Sequence, residues 1–153
     1  MQASGKKPDF EILNQFVKDL SFEAPSSPKI FFDKIEGSPN IEIGLEVKTA
    51  PAGEKLFEVV LNLKIKNTLK ESTLFLIELS YAAMAVVNTE DAAAREKILI
   101  KTVPAHLFPF VRAIVADLTR ESGFNPFILQ PINFDEMKAQ QTPPPASNHA
   151  MKS

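Results

Sequence analysis

The sequence contains no cysteine, which excludes disulfide bonds and thiolate metal sites and weakly favours a reducing compartment. It also lacks any apolar stretch of the roughly 18 residues that a membrane-spanning helix requires. Lys6 and Lys7 are not followed by the apolar segment of a secretory signal. These absences predict a cytoplasmic protein that does not insert into a membrane.

A strong positive charge is also missing. The formal net charge is −2, from 17 basic and 19 acidic residues, and nucleic-acid binders usually present a basic face. We therefore expect no nucleic-acid partner. The hydrophobic share of 44% and the length of 153 residues are typical of a single globular domain with a substantial core.

Catalytic and metal-binding patterns are equally scarce. The chain has no glycine-rich phosphate loop and no histidine or cysteine pair at metal-ligand spacing. Of its two histidines, His149 lies near the end of the chain, and His106 has no visible catalytic partner. Asp135 and Glu136 are adjacent, but carboxylates at a helix start favour the helix dipole. We expect neither an enzyme nor a cofactor or metal.

Four segments alternate between apolar and polar residues, the pattern of half-buried β-strands. In the first, Leu20 and Phe22 are predicted to face the core, while Asp19 and Glu23 face solvent. Turns are predicted at residues 49–53 and 67–71. The four segments are residues 10–23, which alternate clearly only at their end, 40–48, 56–66 and 73–87.

A long helix is predicted over residues 107–122. Leu107, Val111, Ile114 and Leu118 repeat at helical spacing, and Gly123 follows where a left-handed residue often ends a helix. A further apolar stripe, formed by Phe108, Val115 and Thr119, widens the buried face, so a single sheet would not cover the helix. Two interpretations remain open: a helix buried within one subunit, or one that a second subunit approaches across Leu107, Phe110, Ala113 and Ala116.

Shorter helices are predicted on either side of it. Thr89 is placed to cap a helix that runs through Ala92 and ends before Pro104. Asn133 and Glu136 form a capping-box pattern that opens a short final helix. Strands followed by helices indicate an α+β domain over residues 10–141, with a four-stranded antiparallel sheet and both the long helix and the final helix on one face. Residues 1–9 and 142–153 are predicted to be disordered tails.

Several phenylalanines lie in predicted connections: Phe31, Phe32, Phe124 and Phe127. They could plug the edge of the sheet, since burial of each ring contributes about 1.5–3 kcal/mol. Alternatively, they could line a groove for extended apolar peptide with little demand on its sequence.

Three blocks of the sequence are similar to a known family: Asp19-Leu-Ser-Phe-Glu-Ala-Pro25, Leu107-Phe-Pro-Phe-Val-Arg112 and Leu129-Gln-Pro-Ile-Asn-Phe134. Phe57-Glu-Val-Val-Leu61 and Gly123-Phe124 continue the similarity, which covers about residues 10–138. On these blocks the chain resembles the protein-export chaperone SecB.

The resemblance implies a tetramer, built as a dimer of dimers, in which the long helices pack between subunits. It implies ATP-independent binding of unfolded precursor proteins and their delivery to the translocase motor SecA. The family's SecA-contacting sheet face falls on Asp19, Glu23, Leu76 and Glu78. Its client groove falls on Phe31, Phe32, Phe124 and Phe127.

The chain departs from the family pattern in two places. Many members have a tryptophan in the loop after the first strand, whereas this chain has none and offers Ile35 there. Members often end in acidic residues, whereas this chain ends Met151-Lys152-Ser153, so no tail contact with SecA is implied. The remaining alternatives are a SecB-like chaperone dedicated to a toxin–antitoxin pair and a carrier of hydrophobic small ligands.

Overall fold

The computed structural model describes residues 7–136. Strands β1 (Phe10–Glu23), β2 (Asn40–Gly53), β3 (Leu56–Leu69) and β4 (Ser72–Val87) precede helices α1 (Ala92–Lys97) and α2 (Val103–Glu121). Short 3-10 turns occur at Lys29–Phe31 and Phe134–Glu136. The predicted α+β class is confirmed.

The strands form one antiparallel sheet in the order β1-β4-β3-β2. The first strand lies beside the last, so the connection from β1 to β2 must cross to the opposite edge of the sheet. At the end of β1 the predicted alternation is confirmed, because Leu20 and Phe22 pair with the core residues Leu79 and Ile77. Asp19, Ser21 and Glu23 therefore lie on the other face of the sheet.

The first predicted turn was misplaced, and the second was predicted too long. Residues 49–53 belong to β2 and pair with β3, and the chain reverses at Glu54 and Lys55. Pro51 is tolerated there because β2 is an edge strand, where one side of the backbone needs no partner. The second chain reversal consists of two residues, Lys70 and Glu71, and Lys70 has a φ of 57°.

The helical region was also predicted with the wrong boundaries. One continuous helical stretch runs from Ala92 to Glu121, with a π-helical turn, Ile98–Thr102, joining α1 to α2. The π-helical turn lies just before Val103 and Pro104. We attribute the continuity of the helix to this wider turn, because it relieves the clash of the proline ring with the preceding turn. The capping residue is Asp91 rather than Thr89, since its side chain accepts the Ala94 N–H at 3.0 Å.

The core lies between α2 and the inner face of the sheet. Val103, Leu107, Val111 and Val115, spaced four residues apart, are all fully buried. Ile114 and Leu118, predicted for the same stripe, are only half-buried. The full helix is long and apolar enough to cross a membrane, but buried core helices pass that criterion as well, and its inner face packs on the sheet. The absence of membrane insertion stays a prediction.

At the end of the described chain, Phe134 is buried in a 3-10 turn rather than an α-helix. Asn133 and Glu136 interact, but not as the predicted capping box: the Asn133 side chain accepts the Asp135 N–H at 3.0 Å and donates to the Glu136 carboxylate at 3.2 Å. The rest of the predicted final helix and the predicted C-terminal tail lie outside the described residues. At the other end, the carbonyls of Pro8 and Asp9 accept hydrogen bonds from Asn88.

Candidate binding surface

A cluster of aromatic rings lies at one end of the sheet. Phe124 contacts Phe31 and Phe75, with ring centroids 5.4 and 5.3 Å apart. Phe75 also contacts Phe22 at 6.0 Å and Phe127 at 6.3 Å. The crossover loop, strands β1 and β4, and the segment after α2 thus each contribute to one aromatic cluster, defined by these five residues.

The cluster has a buried base and an exposed rim. Phe75 is 2% exposed, whereas Phe31 is 47% exposed and the neighbouring Phe32 is 77% exposed. Phe124 and Phe127 are half-buried and pack against the core. The two interpretations therefore apply to different rings. Phe124 and Phe127 fill the end of the core, whereas Phe31 and Phe32 face solvent beside them.

Local interactions hold the loop that carries the exposed rim. The Ser26 hydroxyl donates to the Thr73 carbonyl at 2.8 Å, which ties the start of the loop to β4. Lys29 and Asp33 form an exposed ion pair at 3.0 Å across the 3-10 turn. Ile35, where many family members have tryptophan, is half-buried.

The segment after α2 is fastened to the helix. Arg112 donates from Nε to the Leu129 carbonyl at 3.0 Å, so this side chain is half-buried rather than solvated as its polarity suggested. Leu129 itself is buried in the core. Gly123, at a φ of 93°, ends the helix in the left-handed conformation that its position predicted.

Two further apolar residues on the inner face of β2 are left partly uncovered. Ile41 is 39% exposed and Ile43 is 38% exposed. Ile41 pairs with Asn67, which pairs in turn with Phe75, so this exposed surface lies in register with the aromatic cluster. Alternation alone could not reveal this, because it gives the face of a strand but not how far a helix covers that face.

The residues predicted to contact SecA lie together on the outer face. Glu23 pairs opposite Leu76, and Ser21 opposite Glu78, so the two carboxylates and the leucine share one face. Asp19, Glu23 and Glu78 are exposed and Leu76 is half-buried. Glu78 has a basic neighbour within the sheet, since its carboxylate lies 3.5 Å from the Lys64 ammonium on β3.

The residues predicted for a subunit interface have different surroundings. Leu107 is fully buried within its own subunit and leaves no surface for another. Phe110 is 48% exposed and stacks on Tyr81, with ring centroids 6.1 Å apart. Ala113 is exposed and Ala116 is half-buried.

The edge strand β1 carries apolar surface that sequence reasoning missed. Two bulges, near Leu13 and Lys18, interrupt its register with β4 and change which side chains face outward. The exposed fractions of its large apolar side chains are 53% for Leu13, 36% for Phe16, 46% for Val17 and 41% for Leu20.

Polar groups do not converge on these surfaces as they would in a catalytic site. Within residues 7–136, no group of three or more histidine or acidic side chains is arranged to hold a metal. His106 is exposed, with Nδ1 3.0 Å from the Thr102 carbonyl and its ring edge-to-face with Phe10. The geometry is that of a binding protein with an open aromatic surface.

Comparisons with known proteins identify the family to which this binding protein belongs. Residues 3–143 match the family model described as preprotein translocase subunit SecB. The protein-export protein SecB of Rhodospirillum rubrum is 44% identical over 126 residues, covering 82% of this chain and 78% of the relative. That of Paramagnetospirillum magneticum is 40% identical over 130 residues, covering 85% and 83%. The chain belongs to the SecB family of protein-export chaperones.

A solved structure shows the same fold at low sequence identity. The SecB-like chaperone Rv1957 of Mycobacterium tuberculosis, in complex with a peptide from the HigA1 antitoxin, is 14% identical, with a TM-score of 0.63. The match covers 82% of this chain and 91% of that structure.

Proposed function

We propose that this protein is a cytoplasmic, ATP-independent chaperone that binds unfolded precursor proteins and delivers them to SecA. The observation that carries the proposal is the exposure of Phe31, at the rim of the aromatic cluster, and of its neighbour Phe32. Large exposed aromatic side chains are costly to leave in water, and they gain the most when an apolar segment covers them.

The shape of the surface favours an extended polypeptide over a small molecule. Sites for small ligands are concave and bury most of the ligand, with a few polar groups that fix its orientation. Here Phe32 projects into solvent at 77% exposure, and the apolar surface continues along β2 to Ile43. Rings without converging polar groups bind apolar side chains of many sequences, which suits a chaperone and does not suit catalysis.

The choice between an export chaperone and a dedicated antitoxin chaperone depends on the relatives. Those of 35–44% identity carry the name protein-export protein SecB. The antitoxin-bound structure is only 14% identical, a level at which the shared fold says nothing about the client. We therefore favour clients awaiting export.

Assembly into a tetramer, a dimer of dimers, is the second part of the proposal. It is supported by one contiguous apolar surface: Val17 on β1 pairs opposite Tyr81, whose ring stacks on the exposed Phe110 of α2. The edge of the sheet and the outer side of the helix thus meet at Tyr81. A subunit that covered both would remove several large apolar side chains from water.

Docking to SecA is assigned to the outer sheet face around Glu23, Leu76 and Glu78. Exposed carboxylates beside a half-buried leucine can attract a basic partner surface and supply an apolar contact at its centre. This face lies opposite the helix, so a motor bound there would leave the aromatic cluster accessible.

Sedimentation of the full chain with and without an unfolded polypeptide tests the central proposal. We expect a tetramer alone and a larger complex with the unfolded chain, formed without nucleotide. The same polypeptide in its folded form is the control and should not co-sediment. Failure to bind any of several unfolded polypeptides would overturn the proposed function.

A further inference from the structure

The hydroxyl of Thr119 lies at the junction between the long helix and the aromatic cluster. Thr119 is fully buried on α2. Its Oγ1 donates to the Val115 carbonyl at 2.9 Å and accepts the Phe127 N–H, also at 2.9 Å. A buried side chain on the helix therefore binds the backbone of the segment that carries two rings of the cluster.

The backbone of the same residue holds the start of that segment. The Thr119 carbonyl accepts hydrogen bonds from Ser122 N at 3.2 Å and Phe124 N at 3.1 Å. Thr119 thus contacts the segment at Phe124 through its main chain and at Phe127 through its side chain. Both of these residues place their rings on Phe75.

From this arrangement we infer that Thr119 is a positioning residue for the client surface, an inference that rests on the proposed function. Its hydroxyl fixes the backbone at Phe127 before a client arrives, so the client does not have to order the segment. Preorganisation of this kind raises affinity without any direct contact to the ligand.

The alternative is that Thr119 only stabilises the helix. A threonine hydroxyl that bonds to the carbonyl four residues earlier adds little to a helix and often bends it slightly. The Val115 carbonyl lies within the helix. The Phe127 N–H, in contrast, lies outside the helix and donates to the Thr119 hydroxyl. Loss of the hydroxyl should therefore be felt mainly in the segment after the helix.

Two matched pairs of variants isolate the hydroxyl. Threonine and valine side chains have the same shape, so wild type and Thr119→Val differ in the hydroxyl. Thr119→Ser and Thr119→Ala, with smaller side chains, also differ from each other in the hydroxyl. Within each pair we expect the chain without the hydroxyl to bind an unfolded polypeptide about tenfold more weakly, the effect of one lost hydrogen bond. Thr49→Val, at an exposed threonine of β2, is the control and should bind normally.

Hydrogen exchange supplies a readout that a general loss of stability would not mimic. The Phe127 amide should be protected in wild type and Thr119→Ser, and should exchange faster in the other two variants while the amides of β3 and β4 stay protected. If Thr119→Val does not fold, the serine and alanine pair carries the test.

Equal client affinity and equal Phe127 protection within both pairs would overturn the inference. If wild type itself binds no unfolded polypeptide, the proposed function fails instead. The two failures are therefore distinguishable.

Discussion

The ring of Phe31 packs directly against Gly123, so closely that a Cβ built on the glycine would lie 2.9 Å from the Phe31 Cζ. Gly123 also has a φ of 93°, a backbone conformation that residues other than glycine rarely adopt. The glycine that ends α2 thereby makes room for an exposed ring of the crossover loop. Two segments far apart in sequence depend on one missing methyl group.

Replacement of Gly123 by alanine should therefore have two effects. The left-handed backbone should cost about 1–2 kcal/mol of unfolding free energy, and Phe31 must move to relieve the contact. We expect lower stability in urea together with weaker protection of an unfolded protein from aggregation. Gly53→Ala is the control, since its Cβ would meet Leu56 at an ordinary 3.5 Å. Equal stability of the two variants would contradict this account.

Exposed and half-buried rings of the binding surface should respond differently to truncation. Phe32→Ser should change the free energy of unfolding by less than about 0.5 kcal/mol, because the side chain is 77% exposed, yet it should weaken client protection. Phe124→Ala should cost about 1–3 kcal/mol, less than a fully buried ring, and should weaken protection as well. Urea unfolding and light scattering of an aggregating client separate the two effects.

If Phe32→Ser protects the client as well as wild type does, the exposed rim does not contribute to binding. If it unfolds the protein instead, Phe32 is part of the core rather than of the client surface.

Subunit assembly should be sensitive to charge on the outer side of α2. Ala113→Arg places a cation on an exposed position next to Phe110, and removing that unpaired charge from water on assembly should cost several kcal/mol. We expect light scattering at micromolar concentration to report a smaller species than the wild-type tetramer. Ala93→Arg, at an exposed alanine of α1, should leave assembly unchanged. A monomeric wild type would remove the basis of this prediction.

Charge reversal on the outer sheet face should weaken SecA binding. Glu23→Lys removes an exposed carboxylate from that face, and Leu76→Arg removes its apolar contact. Glu78→Lys additionally loses the pair with Lys64 and places two cations together, so its effect should be the larger of the two charge reversals. The measurement is SecA affinity at low and moderate salt, because attraction between exposed charges is screened as ionic strength rises.

Glu96→Lys makes the same charge change on α1 and is the control. All of these variants should still assemble and bind clients. SecA affinity that is unchanged in Glu23→Lys, Glu78→Lys and Leu76→Arg would exclude the outer sheet face as the docking surface.

The sequence was sufficient to predict the strands and most of their faces, because alternation is a local property of each segment. The two bulges of β1 leave no such mark. Sequence reasoning misplaced the turn before β3 because proline in a strand depends on whether the strand is at an edge. That depends on the strand order β1-β4-β3-β2, a property of the whole sheet. The same limit explains Ile41 and Ile43, whose exposure depends on how far α2 extends over the sheet.

The sequence singled out four phenylalanines for a client groove, which stays a prediction, but not the difference in their exposure. Phe31, Phe32, Phe124 and Phe127 share the same composition signal, rings in connecting segments. Only the three-dimensional packing on Phe75 separates the half-buried pair from the exposed pair. The half-buried position of Arg112 could not be predicted for a related reason: its partner is a backbone carbonyl, and carbonyls leave no mark in a sequence.

The two edges of the sheet differ in a way that limits how far copies of this chain can associate. β1 is bulged at two places but presents apolar side chains, whereas β2 carries Pro51, which has no N–H, and a bulge before Gly53. Pairing of two subunits through β1 would leave the two β2 edges outside. Pro51 and the bulge beside it then make it less favourable for further copies to add strand by strand, the route by which sheet proteins polymerise into fibres.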